Sequence, residues 1–362
     1  MLLAVGLMSG TSLDGIDAAL IETDGEGHVR PLAFRYEPWS DSARRTLRTA
    51  AERALLLDRP RPTTETQIAE TLVTRGHILA VRKLLVDAGL KPDAIDVVGF
   101  HGQTIAHRPD RGWTWQLGDG AAMAQALGIV VVNDFRSDDV AAGGQGAPLL
   151  PVYHQALAAG LEGPVALLNL GGVANITWIG EDGALLAFDT GPANALIDDW
   201  VASQTGASFD ADGALAGTGQ VDEAVLRSML DHPFFDAMPP KSLDRADFTI
   251  EPVKGLAAAD GAATLTAFTA CAVMRGLEML PEKPRRLIVA GGGRLNPTLM
   301  AMIGDACAVT PEPIEALAGN GDATEAEGFA YMAVRRLKGL PISFPGTTGV
   351  PQPMTGGVLH QP

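Results

Sequence analysis

Residues 2–36 read LLAVGLMSGTSLDGIDAALIETDGEGHVRPLAFRY, and this stretch decides the fold. Three extended apolar runs, at 2–8, 16–22 and 28–36, are separated by turns at 9–15 and 24–27 rich in Gly, Ser, Thr and Asp. Alternation broken by such residues predicts a meander of hairpins. The same order returns at 165–189, VALLNLGGVANITWIGEDGALLAFD, with runs at 165–170, 173–179 and 184–189. Two copies of one opening predict two domains of related topology; on pattern alone, two unrelated hairpins remain the alternative.

Outward from each meander the period turns helical. Ser40 or Asp41 can cap a helix reaching about residue 57. A second helix places Ile68, Leu72, Leu79 and Leu85 near one face and ends at Gly89 and Pro92. A strand at 95–100, a helix at 120–127 closed by Gly128 and a strand at 129–132 follow. The second half continues with a helix at 260–280, a strand at 286–290, an Asn296-Pro297 cap and first turn, and an amphipathic helix at 322–337. Strands alternating with helices predict an α/β sheet in each half. We expect an N-terminal domain at 1–150, a second at 151–338, and a Pro/Gly-rich tail at 339–362 packing back on the first.

Composition narrows the function. At 362 residues and 37.7 kDa the chain exceeds one ordinary core, and 46% hydrophobic against 19% charged residues excludes a disordered chain. Lys and Arg number 27 against 43 Asp and Glu, and the net charge of −16 repels a polyphosphate backbone, so no nucleic-acid partner is expected. A small anionic ligand stays admissible where cations are local. Cys271 and Cys307 form no CxxC motif and read as core thiols. The apolar start carries no basic leader and breaks at Ser9, and no run approaches the roughly 18 apolar residues of a membrane span. No membrane partner and a cytoplasmic location are expected.

In open α/β sheets ligands gather beyond the carboxyl ends of strands. There the chain offers His101, Gln103 and Thr104; Asn133 and Arg136; Asp189; and Gly291, Gly292 and Gly293. The turn Gly10, Thr11, Ser12, Leu13, Asp14, Gly15, Ile16 and Asp17 allows backbone N–H and hydroxyl groups to approach phosphate closely, or is a hairpin loop with an Asx turn. If phosphate and Mg²⁺ bind there, Asp14 is the carboxylate for the ion. Gly171 and Gly172, in a segment ending at Asn175, form the counterpart loop. The three glycines suit an adenosine or phosphate against bare backbone, or a strand-helix connector. Asp189 suits a general base held at a strand end, or caps the helix beginning near Pro192. Glu325 stands beside Ala326, Phe329 and Ala330 and is either a buried carboxylate needing a ligand or part of a solvated face. His101 and His107 lack metal-ligand spacing, so hydrogen bonding outranks metal ligation. Lys241 and Arg245 supply cations for a phosphate or carboxylate, or belong to a plain surface loop. Neither GxxxxGK[ST] nor GxGxxG occurs, which removes P-loop and Rossmann readings.

Taken in order, GLMSGTSLDGID at 6–17, GFHGQT at 99–104, WQLGDG at 115–120, NDFR at 133–136, GGQGAPLLP at 143–151, LNLGGVANIT at 168–177, FDTGPAN at 188–194, PPKS at 239–242, ATLTAFTA at 263–270 and GGG with Asn296 resemble the anhydro-N-acetylmuramic acid kinase family. The resemblance spans nearly the whole chain; MSGTSLDG and GGQGAPLLP are its specific parts. It implies two duplicated actin-like (ribonuclease H-like) domains around an ATP cleft. It also implies a reaction in which water opens 1,6-anhydro-N-acetylmuramic acid and the released O6 takes the γ-phosphoryl of ATP. The products would be N-acetylmuramic acid 6-phosphate and ADP, in peptidoglycan recycling. On this resemblance Asp189 matches the general base, Gly10 to Asp17 with the paired glycines bind ATP with Mg²⁺, and the sugar falls to His101, Gln103, Thr104, Asn133, Arg136, Asn175, Lys241 and Glu325. A homodimer is expected. Ala193, Leu243-Asp244 and Glu327-Gly328 depart from the family pattern. The competing readings are a plain sugar kinase and an actin-like ATP switch without sugar-dependent turnover.

Overall fold

The structure is a computed structural model describing residues 1–243, 247–318 and 320–362. The chain divides into two compact units, one formed by Met1–Ala159 with Ala323–Pro362, the other by Gly160–Asp322. The first contains β1 (Leu2–Ser9), β2 (Gly15–Thr23), β3 (Val29–Pro38), β4 (Val97–Arg108), β5 (Trp113–Leu117) and β6 (Val131–Asn133). The second contains β7 (Val165–Leu170), β8 (Val173–Ile179), β9 (Leu185–Pro192), β10 (Arg286–Ala290) and β11 (Pro311–Pro313), and β12 (Val358–His360) returns to the first.

The sheets repeat one wiring. In the first, the path runs β12-β6-β4-β1-β2-β3 with β5 beside β4; in the second it runs β11-β10-β7-β8-β9. Each begins with an antiparallel meander and continues with two parallel strands beside its first strand. The duplicated α/β organisation expected from the two meanders is therefore present strand by strand. The tail adds β12 antiparallel to β6, with Leu359 opposite Val132.

Period-two alternation splits the first unit's core across its sheet. Val5, Leu20, Val98 and Phe100 pack on one side with Val73, Ala80 and Leu84 of helix Thr64–Asp87. Ala4, Ile21, Val97 and Val132 pack on the other with Phe329, Ala330 and Ala333 of helix Thr324–Leu337. That second helix lies against bare backbone. A Cβ on Gly6 would meet Ala326 O and Ala330 N, and one on Gly99 would meet Phe329 O. Gly6 and Gly99 are register partners on adjacent parallel strands, so they form one flat seat.

Several expectations change. Helices Pro151–Leu157 and Thr324–Leu337 belong to the first unit, not to a domain at 151–338, because the glycine seat and the Tyr153 ring hold them there. Helix Thr64–Asp87 buries Ala69, Val73, Ala80 and Val81 and leaves Ile68 and Leu79 exposed, so the expected apolar face is rotated. Small residues let it approach the sheet: a Cβ on Gly76 would strike the Trp39 ring. β4 does not stop at Phe100 but continues to Arg108, carried on by pairing with β5.

Replacing Gly99 by Val should lift the helix from its seat and cost about 3 kcal/mol, since backbone cannot yield as a side chain does. Urea denaturation measures this; an unchanged midpoint would mean that the helix does not depend on the glycine pair.

Candidate active site

In the first unit the β1–β2 loop is held from below. Ser9 is fully buried; its hydroxyl donates to Gln103 Oε1 at 2.6 Å and accepts from Trp39 Nε1 at 3.1 Å. Gln103 Nε2 donates to Gly10 O at 2.9 Å, closing a brace from β4 to the loop. Leu13 takes φ +58 and its N–H donates to Gly10 O at 3.2 Å, while the Ser12 hydroxyl donates to Asp14 Oδ1 at 2.6 Å. Thr11, Ser12 and Asp14 are exposed at the tip. Gly15, Ile16 and Asp17 lie in β2, with the Ile16 side chain in the core.

Beside this loop β4 bulges: Leu7 pairs with Phe100 but Ser9 with Gln103. Gly102 takes φ +75 there, where a Cβ would strike Leu117 O. The buried His101 ring stacks 4.5 Å from Phe329. Its Nδ1 lies 2.9 Å from Gly102 O and Arg136 Nε donates to its Nε2 at 3.1 Å. Burial, then the Arg136 charge, drives the imidazole pKa well below its ordinary value, so the ring is neutral and accepts. Arg136 Nη1 donates to Gly146 O at 2.6 Å. Burial lowers the guanidinium to about 10, opposed by Glu325 and Asp139, which leaves it charged at neutral pH. Glu325 is exposed on the first turn of helix Thr324–Leu337; desolvation raises its pKa, Arg136 opposes the shift and Asp14 reinforces it.

Other expected contacts are engaged elsewhere. Asn133 Nδ2 donates to Gly118 O at 3.2 Å and its Oδ1 lies 2.9 Å from His360 Nε2, tying β6 to the tail. Thr104 Oγ1 accepts from Gln116 Nε2 at 3.2 Å. Gln103 spends its amide on the loop. Sequence reading missed Asp139, which is buried and accepts from Gly146 N and Thr348 Oγ1, both at 2.6 Å, so fixing the loop that holds Arg136. Nothing local marks Asp139, whereas Ser9 stood inside the quoted turn motif.

In the second unit Asp189 lies within β9, at a bulge where Asn175 pairs with Asp189 but Ala174 with Gly191. It does not cap the next helix, whose N-cap is Ala193 without a side-chain cap. Asp189 N donates to Lys241 O at 3.0 Å and Leu243 N donates to Asp189 Oδ2 at 2.8 Å, pinning the 239–243 segment to the strand. Among the described residues the carboxylate accepts from Leu243 N through Oδ2 and no cation lowers its pKa; burial pushes the carboxyl up to about 6 against the Leu243 N–H. Lys241 turns inward, its Nζ donating to Phe234 O at 2.9 Å and standing 4.5 Å from that ring. Asp244 and Arg245 lie outside the described residues.

Gly171 O and Gly172 O accept from Asn194 N and Ala193 N, each at 3.0 Å, so the β7–β8 turn is anchored to helix Asn194–Thr205. Gly291 takes φ +78 with its backbone against Leu170 O, and a Cβ on Gly293 would strike Leu170. Gly292 instead faces a cavity of about 530 Å³ lined also by Asn194, Phe209, Asp210, Leu295 and Asn296. This is room for a nucleoside. Phe209 and Asp210 were not singled out in the sequence.

The repeated sheets, each with a tight turn after its first strand, define two duplicated actin-like (ribonuclease H-like) domains. Component A of (R)-2-hydroxyglutaryl-CoA dehydratase from Acidaminococcus fermentans shares the fold at a TM-score of 0.50 and 11% identity, over 93% of this chain and 100% of that one. The family model for anhydro-N-acetylmuramic acid kinase matches residues 2–362. Proteins of that name from Rhizorhabdus wittichii and Zymomonas mobilis are 70% and 58% identical, covering 100% and 99% of this chain and 99% and 100% of their own lengths. The chain belongs to the anhydro-N-acetylmuramic acid kinase family.

The Asp189 environment has a stability signature. Its folded pKa, about 6, lies above the ordinary 3.8, so the unfolded chain releases this proton first. Stability contributed by the protonated form is present below about pH 4 and is lost as pH rises through about 6. Asp189→Asn should therefore be more stable than wild type at pH 8, by about 1–3 kcal/mol, with no gain at pH 4. Thermal melts at both values check this; equal melting shifts would reject the buried-carboxyl assignment.

Proposed function

We propose that this enzyme, a kinase by family, cleaves the anhydro bridge of 1,6-anhydro-N-acetylmuramic acid with water and transfers the γ-phosphoryl of ATP to O6. The products are N-acetylmuramic acid 6-phosphate and ADP, within peptidoglycan recycling. The observation carrying this reading is Asp189: a strand-held carboxylate oriented through one oxygen by Leu243 N–H and tuned to about 6. A base with that affinity is ionised at neutral pH yet accepts a proton more readily than an ordinary aspartate.

In the proposed reaction Asp189 takes a proton from water as its oxygen bonds to the anomeric carbon. The bond from that carbon to O6 breaks, and O6 attacks the γ-phosphorus with departure of ADP. His101 and Arg136 are assigned to the sugar as a neutral imidazole and a fixed cation, with Glu325 as their carboxylate partner. Gln103, Asn133 and Thr104 of the first unit, and Lys241 and Asn175 of the second, are assigned to the sugar as well; Asn175 is the register partner of Asp189. In the second unit the nucleoside is assigned to the cavity at Gly292 and phosphate to the Gly171-Gly172 turn; in the first unit the Gly10–Asp14 turn is assigned to phosphate.

Among the described residues no group of three or more His, Cys, Asp or Glu could hold a metal alone. Exposed Asp14 with Ser12 instead fits Mg²⁺ that keeps most of its shell as phosphate oxygens and water. When bound, that ion offsets charge on the transferring phosphoryl group. Among the described residues no helix is long and apolar enough to cross a membrane. Cytoplasmic location and a homodimer form part of the same proposal.

Three experiments test the reading. In ¹⁸O-water the product should carry label at the anomeric hydroxyl and none in the phosphoryl group, and Asp189→Asn should lose turnover by roughly a hundredfold or more while still binding nucleotide. Label within the phosphoryl group, or near-normal turnover of the variant, would remove Asp189 from the anomeric step. Separately, a Cβ on Gly10 meets Ser12 Oγ at 3.5 Å and Ser12 N at 4.0 Å, ordinary contacts, so Gly10→Val should fold. It should raise KM for ATP far more than KM for the sugar; unchanged nucleotide affinity by calorimetry would make the loop a plain hairpin turn.

A further inference from the structure

Arg294 follows the three glycines, and its side chain is only 4% exposed. Nε donates to Glu315 Oε1 at 2.8 Å, Nη2 to Asp322 Oδ1 at 2.8 Å and Nη1 to Gly291 O at 3.0 Å. Each guanidinium nitrogen thus has an acceptor within the second unit, and Arg294 is not among the described residues that line the cavity. Gly321 lets the chain close over it, for a Cβ there would strike the guanidinium. Glu315 also accepts from Gly321 N at 3.3 Å. Arg294 lies between Gly292 on one side and Leu295 and Asn296 on the other, all three of which line the cavity.

We propose that Arg294 is a positioning residue for the nucleotide: it fixes the backbone of the 291–296 turn in the one conformation that leaves the cavity open to a nucleoside. The inference rests on the reading that this cavity takes the nucleoside. Gly291 holds φ +78 with no side chain of its own to enforce it, and its carbonyl accepts from Arg294 twice, from the backbone N–H at 3.3 Å and from Nη1 at 3.0 Å. A turn that holds the binding conformation only a tenth of the time binds about tenfold more weakly. The two carboxylates are 37% and 64% exposed, so they rehydrate when the arginine is removed, whereas removing them would strand a buried cation. The informative substitution is therefore at the arginine.

Calorimetry with ADP, and separately with the anhydro sugar, tests this on the full-length protein. Arg294→Met should weaken ADP about tenfold or more and leave sugar affinity within about twofold; in turnover, KM for ATP rises while KM for sugar does not. Arg294→Lys keeps the charge without the planar fork and should fall between wild type and Arg294→Met, and it serves as the test if the methionine variant is unfolded. Wild-type ADP affinity in either folded variant, or an equal loss for ADP and sugar, overturns the proposal. Leu295→Arg, which fills the cavity, separates the two readings. If it binds ADP as wild type does, the nucleoside lies elsewhere and the proposal falls with that reading; if it loses ADP while Arg294→Met does not, only the role of Arg294 is rejected.

Discussion

The first unit depends on the close approach of helix Thr324–Leu337 to the backbone of β1 and β4 at Gly6 and Gly99. Side chains at either position would hold the helix away and open a void that neighbours could not fill. The seat delivers Phe329 under His101, with ring centroids 4.5 Å apart, and brings Glu325 within electrostatic range of Arg136. It also buries Glu327, which accepts from Tyr153 Oη at 2.6 Å. Burial raises that carboxyl to about 7 against the Tyr153 hydroxyl, whose hydrogen bond joins helices Pro151–Leu157 and Thr324–Leu337.

The charged groups divide by environment in a way that suits an acidic protein handling an anion. Arg136 is aimed by a neutral histidine rather than neutralised by a tight ion pair, so its positive charge stays available. Asp189 is aimed by the Leu243 N–H, which lowers its proton affinity, but burial outweighs that bond and the affinity rises. Opposite arrangements, a carboxylate on the arginine or a lysine on the aspartate, would have silenced both. Lys241 is near Asp189 in sequence contacts only through its carbonyl, and its ammonium turns to Phe234.

Both units solve one problem alike. A β-bulge interrupts each sheet beside a candidate functional residue, at His101-Gly102 in the first and at Thr190 in the second. The extra residue changes which side chains leave the sheet plane without ending the strand. This explains why polar residues read as following strands lie inside β4 and β9: strand pairing on the far side continues past them.

The duplicated meanders, the turn glycines and the position of Asp189 were legible from sequence because each is local: alternation, turn chemistry and a carboxylate in an apolar run are written in neighbouring residues. The face of helix Thr64–Asp87 was not, since Ile68 and Leu79 exceed Ala69 and Ala80 in hydrophobicity, yet only the small residues fit against Trp39 and the sheet. The unit to which helix Thr324–Leu337 belongs was equally hidden, because Gly6 and Gly99 are separated from it by most of the chain. Roles exchanged for the same reason. Gln103 and Asn133 read as ligands for a substrate, and the fold also ties them to distant partners, Gly10 and Ser9 for one and Gly118 and His360 for the other. Sequence by itself determined the repeating strand pattern and the chemistry on offer; tertiary structure decided which polar groups the fold pairs with one another, because hydrogen-bond satisfaction is settled only when distant segments meet.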